Sequence, residues 1–219
     1  MTLDWSVVPQ HAGALLEGAK LTVLLAVVTM LVAIPGGIVL ALMRLSSIRA
    51  LSLAAAAFVE LFRNLPLILV IYTAYYILPL ATELNFSPLA TGIIALSLNV
   101  SAYNGETFRA GIASIRKGQS EAAFALGMSR WQTMREIVLP QAIQRVFPIL
   151  TSTWVSLFKD TSLVSVISVG ELAYASMKVR SQTFRVLEML TAMAAVYWLL
   201  GYPQAKLSDW VNRRYAVKE

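Results

Sequence analysis

Apolar residues gather in long blocks along this chain, with charged and turn-forming residues collected between them. Five blocks stand out, at residues 21–43, 51–80, 89–101, 146–169 and 187–202. A bilayer crossing needs roughly 20 apolar residues in helical conformation, and the third block continues in helical register toward Arg109 to reach that length. The first block carries a Pro35-Gly36-Gly37 patch, the second contains Glu60, Arg63 and Pro66, and the fourth contains Lys159 and Asp160. A polar insert at residues 114–144 separates the third block from the fourth. The pattern predicts an all-α integral membrane protein of about five spans, forming one transmembrane domain over residues 1–219.

Composition agrees with lipid as the solvent. Hydrophobic residues make up 58% of the 219 and charged residues only 14%, where soluble domains run near a quarter charged. The net charge of +6 does not point to nucleic acid, because the basic residues sit between apolar blocks instead of lining a polar, aromatic-bearing face. With no cysteine and one histidine, His11, the chain cannot build a thiol site, a zinc cage or a histidine triad. The first twenty residues carry Asp4, His11 and Glu17 with a single Lys, and the apolar run that follows is too long for a signal-peptide core. A retained first span is expected.

Lys and Arg distribution sets the orientation. One side of the membrane collects Arg44, Arg49, Arg116, Lys117, Arg130, Arg135, Arg145, Arg213, Arg214 and Lys218; the other has Lys20, Lys178, Arg180 and Arg185. The N-terminus is therefore expected outside, and the C-terminus and the polar insert in the cytoplasm. The loop at 170–185 carries the charge that blunts this asymmetry. Tyr72, Tyr75 and Tyr76 read as an interfacial belt.

The insert reads as two short helices joined by a turn. Ser120 is expected to cap the first, Glu121 suits its positive end, and Gly127 sits where a left-handed terminus falls. Ser129 with Gln132 forms a capping box for the second, Trp131, Met134 and Val138 recur on one face, and Pro140 is expected to end it. Such a hairpin either docks a partner or lies on lipid headgroups.

Within it, Glu121-Ala122-Ala123, Gly127, Ile137 and Leu139-Pro140 reproduce the pattern EAA-x3-G-x9-I-x-LP without a gap. A chance match to these fixed positions is on the order of one in a million. The pattern resembles the coupling loop of bacterial ABC importer permeases. Phe62-Arg63-Asn64-Leu65-Pro66-Leu67, Phe108-Arg109-Ala110-Gly111-Ile112 and Lys159-Asp160-Thr161-Ser162-Leu163 extend the resemblance to the polar amino-acid uptake branch, nearest to glutamate/aspartate permeases. The resemblance implies a MetI-like permease fold in the bacterial inner membrane. It also implies a second permease, identical or homologous, a pair of ATPase subunits that bind ATP and Mg, and an extracytoplasmic amino-acid-binding protein. Glu121, Ala122, Ala123, Gly127, Ile137, Leu139 and Pro140 would couple to the ATPase. No phosphate-binding loop occurs in the chain, so no cofactor is expected here and the permease is not itself an enzyme.

The intramembrane charges carry the transport chemistry on this reading. An unpartnered Asp, Lys or Arg at a helix centre costs ~3 kcal/mol, so such residues face protein or water. Lys159 and Asp160 are neighbours and diverge by about 100° on a helix. Pro66 frees a backbone carbonyl near Phe62, and interrupted helices at mid-membrane commonly hold zwitterions. Arg63 or Lys159 would meet a substrate carboxylate and Asp160 or Glu106 its ammonium. Asn64, Asn99, Thr161 and Ser162 would add neutral hydrogen bonds. Interhelical ion pairing is the competing role for each charge, and Glu60 and Arg109 are expected to be structural. Two other functions fit the composition: an ion-driven secondary transporter, or a non-transporting scaffold.

Overall fold

The computed structural model describes residues 3–215 and is almost entirely helical. Lys218, counted above on the inner side, lies outside the described residues. In chain order the helices are α1 (Val7–Gln10), α2 (Ala12–Arg44), α3 (Arg49–Asn64), α4 (Leu67–Tyr72), α5 (Leu78–Thr82), α6 (Pro88–Ala113), α7 (Lys117–Ala125), α8 (Arg130–Gln132), α9 (Leu139–Asp160), α10 (Leu172–Thr183) and α11 (Val186–Tyr215). Wider π-helical turns at Thr73–Ile77 and Thr133–Val138 join α4 to α5 and α8 to α9, and a tighter 3-10 segment, Thr161–Ile167, follows α9.

Two of these helices, α2 and α11, are individually long and apolar enough to cross a membrane. At 33 residues α2 is about 50 Å long, well beyond the ~30 Å hydrocarbon core. Two further candidates are broken: α3 with residues 67–82 bends by 109°, and residues 130–167 with α10 bend by 48°. The 26-residue α6 has the length to cross, but Asn99, Asn104, Glu106 and Arg109 make it polar, and it lies largely buried among the others. The second apolar block is thus not one continuous helix. Pro66 cannot donate a backbone hydrogen bond, and Leu65 and Pro66 run extended between α3 and α4.

The first Pro-Gly-Gly patch does the opposite and leaves α2 unbroken. Its glycines serve a neighbour. Helices α2 and α6 make the most extensive pair in the chain, and a Cβ on Gly37 would sit 2.6 Å from the Cβ of Asn104. Two apolar clusters form around this pair. The larger joins Leu25, Ile71, Leu96, Leu157, Val164 and Ile167; the smaller packs α1, the start of α2, α10 and the start of α11 through Val7, Leu15, Leu172 and Met189.

The segment expected as a loop at 170–185 is instead the helix α10. Its start is capped by the buried Glu171 carboxylate, which accepts from the Ala173 and Tyr174 amides at 2.9 and 2.8 Å and from the Tyr197 hydroxyl at 2.7 Å. Thr22 of α2 adds a hydroxyl at 3.4 Å. Four donors replace water around one buried carboxylate, which ties α10 to α2 and α11.

Candidate functional site

The break at Pro66 creates the first feature of the site. The Phe62 carbonyl, released from its helix by the missing proline donor, accepts the Asn99 side-chain amide at 2.8 Å. One turn later on α6, the Tyr103 hydroxyl donates to the Arg63 carbonyl at 3.3 Å. The Arg63 guanidinium lies 5.5 Å from the centre of the Tyr103 ring, within cation–π range. Two side chains of α6 therefore hold open the end of α3.

A cavity of about 520 Å³ adjoins this break, lined by residues 65–67, by Asn99, Val100 and Tyr103 of α6, and by Ile149, Ser152, Thr153, Ser156, Leu157 and Asp160 of α9. Asp160, half-buried, is the single ionisable carboxylate on that wall. Ser152, Ser156 and Asp160 recur every four residues and share one face of α9, as helical geometry requires. The volume, the apolar floor and the few convergent polar groups have the form of a small-molecule site.

The structure divides the sequence-predicted set. Asn99 and Asp160 meet in this cavity, and Arg63 reaches its edge through Tyr103. Lys159 and Ser162 open onto a different cavity, of about 800 Å³, between α9 and α11, as the 100° divergence of neighbouring residues requires. Asn64 is exposed and donates to the Glu60 carbonyl at 2.7 Å and to the Glu60 carboxylate at 3.1 Å. Thr161 is fully buried, and its hydroxyl donates to Phe158 at 2.7 Å where α9 tightens into the 3-10 segment. Glu106 lies nearer the other end of α6, where it pairs with Arg109 and, at 3.6 Å, with Arg44 at the end of α2. Sequence reasoning missed Tyr103, Ser152, Thr153 and Ser156. The signal was present, since Tyr103 follows Asn99 by four residues and the two serines precede Asp160 by four and eight.

The insert is built from local contacts. Helix α7 begins at Lys117, three residues before Ser120, so Ser120 lies inside the helix and does not cap it. Gly127 adopts φ +82°, with its amide bonded to the Phe124 carbonyl at 2.9 Å and the Met128 amide bonded to the Ala123 carbonyl at 3.1 Å. That pair of bonds is the Schellman terminus, and its left-handed residue favours glycine. The capping box forms as expected, with Ser129 and Gln132 bonded reciprocally at 2.8 and 3.2 Å.

Pro140 does not end the second helix. The chain widens into π-helical turns over Thr133–Val138, which absorb the missing proline donor, and continues directly into α9 with Pro140 in its first turn. The widening also splits the expected apolar stripe: Val138 is buried, while Trp131 is 71% exposed. Leu126, at 83% exposure, joins Trp131 and Phe124 on the uncovered surface of the hairpin. Of the motif residues, Glu121 and Ala122 are exposed and Ala123 is buried beneath them. Ile137, half-buried, and the exposed Leu139 flank Val138 at the root of α9.

This architecture has close counterparts. Over 97% of its length the chain is 36% identical to the glutamate/aspartate import permease protein GltK of Escherichia coli O6:H1, covering 98% of that protein. It is 33% identical to the glutamine transport system permease protein GlnP of Escherichia coli K12 over 99% of this chain and all of the relative. It is also 33% identical to the arginine transport system permease protein ArtQ of Bacillus subtilis over 91% of each chain. Among solved structures, a chain of an amino acid ABC transporter crystallised with histidines superposes with a TM-score of 0.92 at 31% identity, covering 98% of this chain and all of that one. The MetNI methionine ABC transporter, at 20% identity and a TM-score of 0.73 over 92% of this chain and 96% of its own, shares the fold. Residues 33–217 match the model of the binding-protein-dependent transport system inner membrane component, and the chain belongs to that family of permeases.

Proposed function

We propose that this permease carries polar amino acids inward as the membrane subunit of an ATP-driven importer, and that the cavity beside the Pro66 break is where the amino acid sits. The observation that carries this reading is the placement of Asp160 opposite Asn99 and Tyr103 at an interrupted helix. Asp160 meets the α-ammonium group. Arg63, stacked on Tyr103 at the cavity edge, meets the carboxylate, and Ser152, Thr153, Ser156 and Asn99 supply neutral hydrogen bonds to the side chain. With Asp160 engaged by the α-ammonium, the wall has no second carboxylate to hold a cationic side chain, which favours an acidic or neutral one, in keeping with the glutamate/aspartate and glutamine relatives.

The importer has the N-terminus outside and the hairpin in the cytoplasm. Two permeases pair, two ATPase subunits dock against the exposed Phe124, Leu126 and Trp131 and the Glu121 end of α7, and a binding protein delivers substrate from outside. ATP and Mg stay with the ATPase. Closure of that subunit moves α7, and the unbroken path from α8 through the π-helical turns into α9 carries the motion to Asp160. The test is uptake of labelled glutamate, glutamine and arginine into vesicles holding the full complex. ATP-dependent uptake of the first two that disappears in Asp160→Ala supports the reading. Uptake that needs an ion gradient and no ATPase overturns it.

A further inference from the structure

The cavity beside the Pro66 break has two long helical walls, α6 through Asn99, Val100 and Tyr103, and α9 through its residues from Ile149 to Asp160. The hairpin connects these same two helices. Only residues 114–116 separate α7 from α6, and α8 runs through the π-helical turns into α9. Between the cavity and the hairpin, α6 and α9 meet at Gly111. Gly111 is buried, and a Cβ there would fall inside the Val146 Cγ2 methyl, with the Ala142 carbonyl oxygen 3.5 Å and the Val146 Cβ 3.7 Å away. Valine is stiff about χ1 in a helix, so that methyl does not swing aside freely. Alanine is the better helix former at such a position, so close approach is what the glycine provides.

The meeting point is also tied. Arg145, next to Val146 on α9, donates from its guanidinium to the Ser114 carbonyl at the end of α6, at 2.7 Å. A cation there suits the negative end of the helix. The arms on either side are unequal. Helix α6 ends two residues past Gly111, while Tyr103 and Asn99 lie about 12 and 18 Å back along it at 1.5 Å per residue. On α9, Asp160 lies about 21 Å beyond Val146. Two rods that touch at one point, are tied there and are joined at their short ends turn like a scissor. A small displacement of the joint changes their angle and alters the gap between the long arms.

We infer that Gly111, seated on Val146 and tied through Arg145, is the fulcrum about which α6 and α9 turn when the hairpin moves. Both walls of the cavity then respond to the ATPase, and not α9 alone. The inference rests on the permease reading above and adds a positioning residue to it: Gly111 lines no part of the cavity and acts through the angle between the helices that do.

The test compares Gly111→Ala, Val146→Ala and the double variant in the full complex in vesicles, with ATP hydrolysis and uptake of labelled glutamate and glutamine measured together. In Gly111→Ala the ATP hydrolysed per amino acid imported should rise about fivefold at an unchanged KM, as for residues that carry coupling without touching ligand. Val146→Ala removes the obstructing methyl and leaves its Cβ at 3.7 Å, an ordinary contact. The double variant should therefore return to within about twofold of the wild-type ratio, the two changes being strongly non-additive. A normal ratio in Gly111→Ala, or a double variant no better coupled than the single one, overturns the fulcrum. If Gly111→Ala fails to assemble, Arg145→Ala decides, since it leaves the packing at Gly111 intact: a raised ratio supports the fulcrum and a normal one overturns it. Wild-type vesicles separate the two readings. ATP-driven uptake there leaves the permease reading standing whatever the variants do, and its absence there removes both.

Discussion

The hairpin of α7 and α8 and the break between α3 and α4 are each built around one residue that disrupts a regular helix, Gly127 in the first and Pro66 in the second. They use the disruption differently. At Gly127 the backbone groups are satisfied within the turn, by bonds from residues 127 and 128 to residues 124 and 123. At Pro66 the released carbonyls of Phe62 and Arg63 are satisfied from across the fold, by Asn99 and Tyr103 of α6. The first is closed by bonds within one turn, the second only by side chains of another helix, as irregular backbone within a membrane protein requires. A locally satisfied turn can move as a rigid lever. A break satisfied by another helix holds two helices at a fixed separation, and that separation leaves room for a ligand.

Substitutions test this contrast. The largest effect is expected for Asp160→Ala, which removes the charge proposed above to meet the substrate ammonium and should lower uptake by about 10- to 100-fold with the complex still assembled. Unchanged uptake kinetics would make Asp160 a packing residue. Gly127→Pro comes next: proline cannot adopt φ +82°, so the lever is distorted, and uptake should drop about tenfold while ATP hydrolysis continues. Tight coupling in that variant would remove the hairpin from the transmission path.

Asn99→Ala removes the partner of the Phe62 carbonyl. It should cost about 1–3 kcal/mol, seen as a lower unfolding midpoint in detergent and a raised KM together. A change in KM with no loss of stability would leave Asn99 its contact with substrate and remove its role as a support of the break. The smallest effect belongs to Ser129→Ala, which loses the cap of the second hairpin helix for about 1 kcal/mol. Faster hydrogen exchange confined to residues 129–138, with uptake nearly normal, is the expected outcome. Loss of order reaching the Asp160 cavity would mean the two regions are less separable than their hydrogen bonds imply.

Legibility from sequence divides along the same line. The Gly127 terminus and the Ser129–Gln132 box were readable because their donors and acceptors lie within five residues of each other. Expectations for Ser120 and Pro140 failed, although both residues are also local. A helix may start a turn before its best cap, and π-helical turns can accommodate a proline that would otherwise end it. At the break, the freed Phe62 carbonyl was expected and its partner was not, because Asn99 lies 37 residues away.

By itself the sequence determined that the chain is helical and lives in lipid, since long apolar blocks have no other stable solvent. It also determined that a capped hairpin projects between two of those blocks, and that Lys159 and Asp160 face apart, since helical geometry allows adjacent residues nothing else. Tertiary structure decided which polar groups belong together. Glu106 goes to Arg44 and Arg109, Glu171 to Thr22 and Tyr197, and Asp160 to the cavity shared with Asn99 and Tyr103. A buried or half-buried charge needs a partner, but several were available to each in the sequence, and helix packing, with α2 on α6 and the 109° turn at Pro66 foremost, fixed which came within reach.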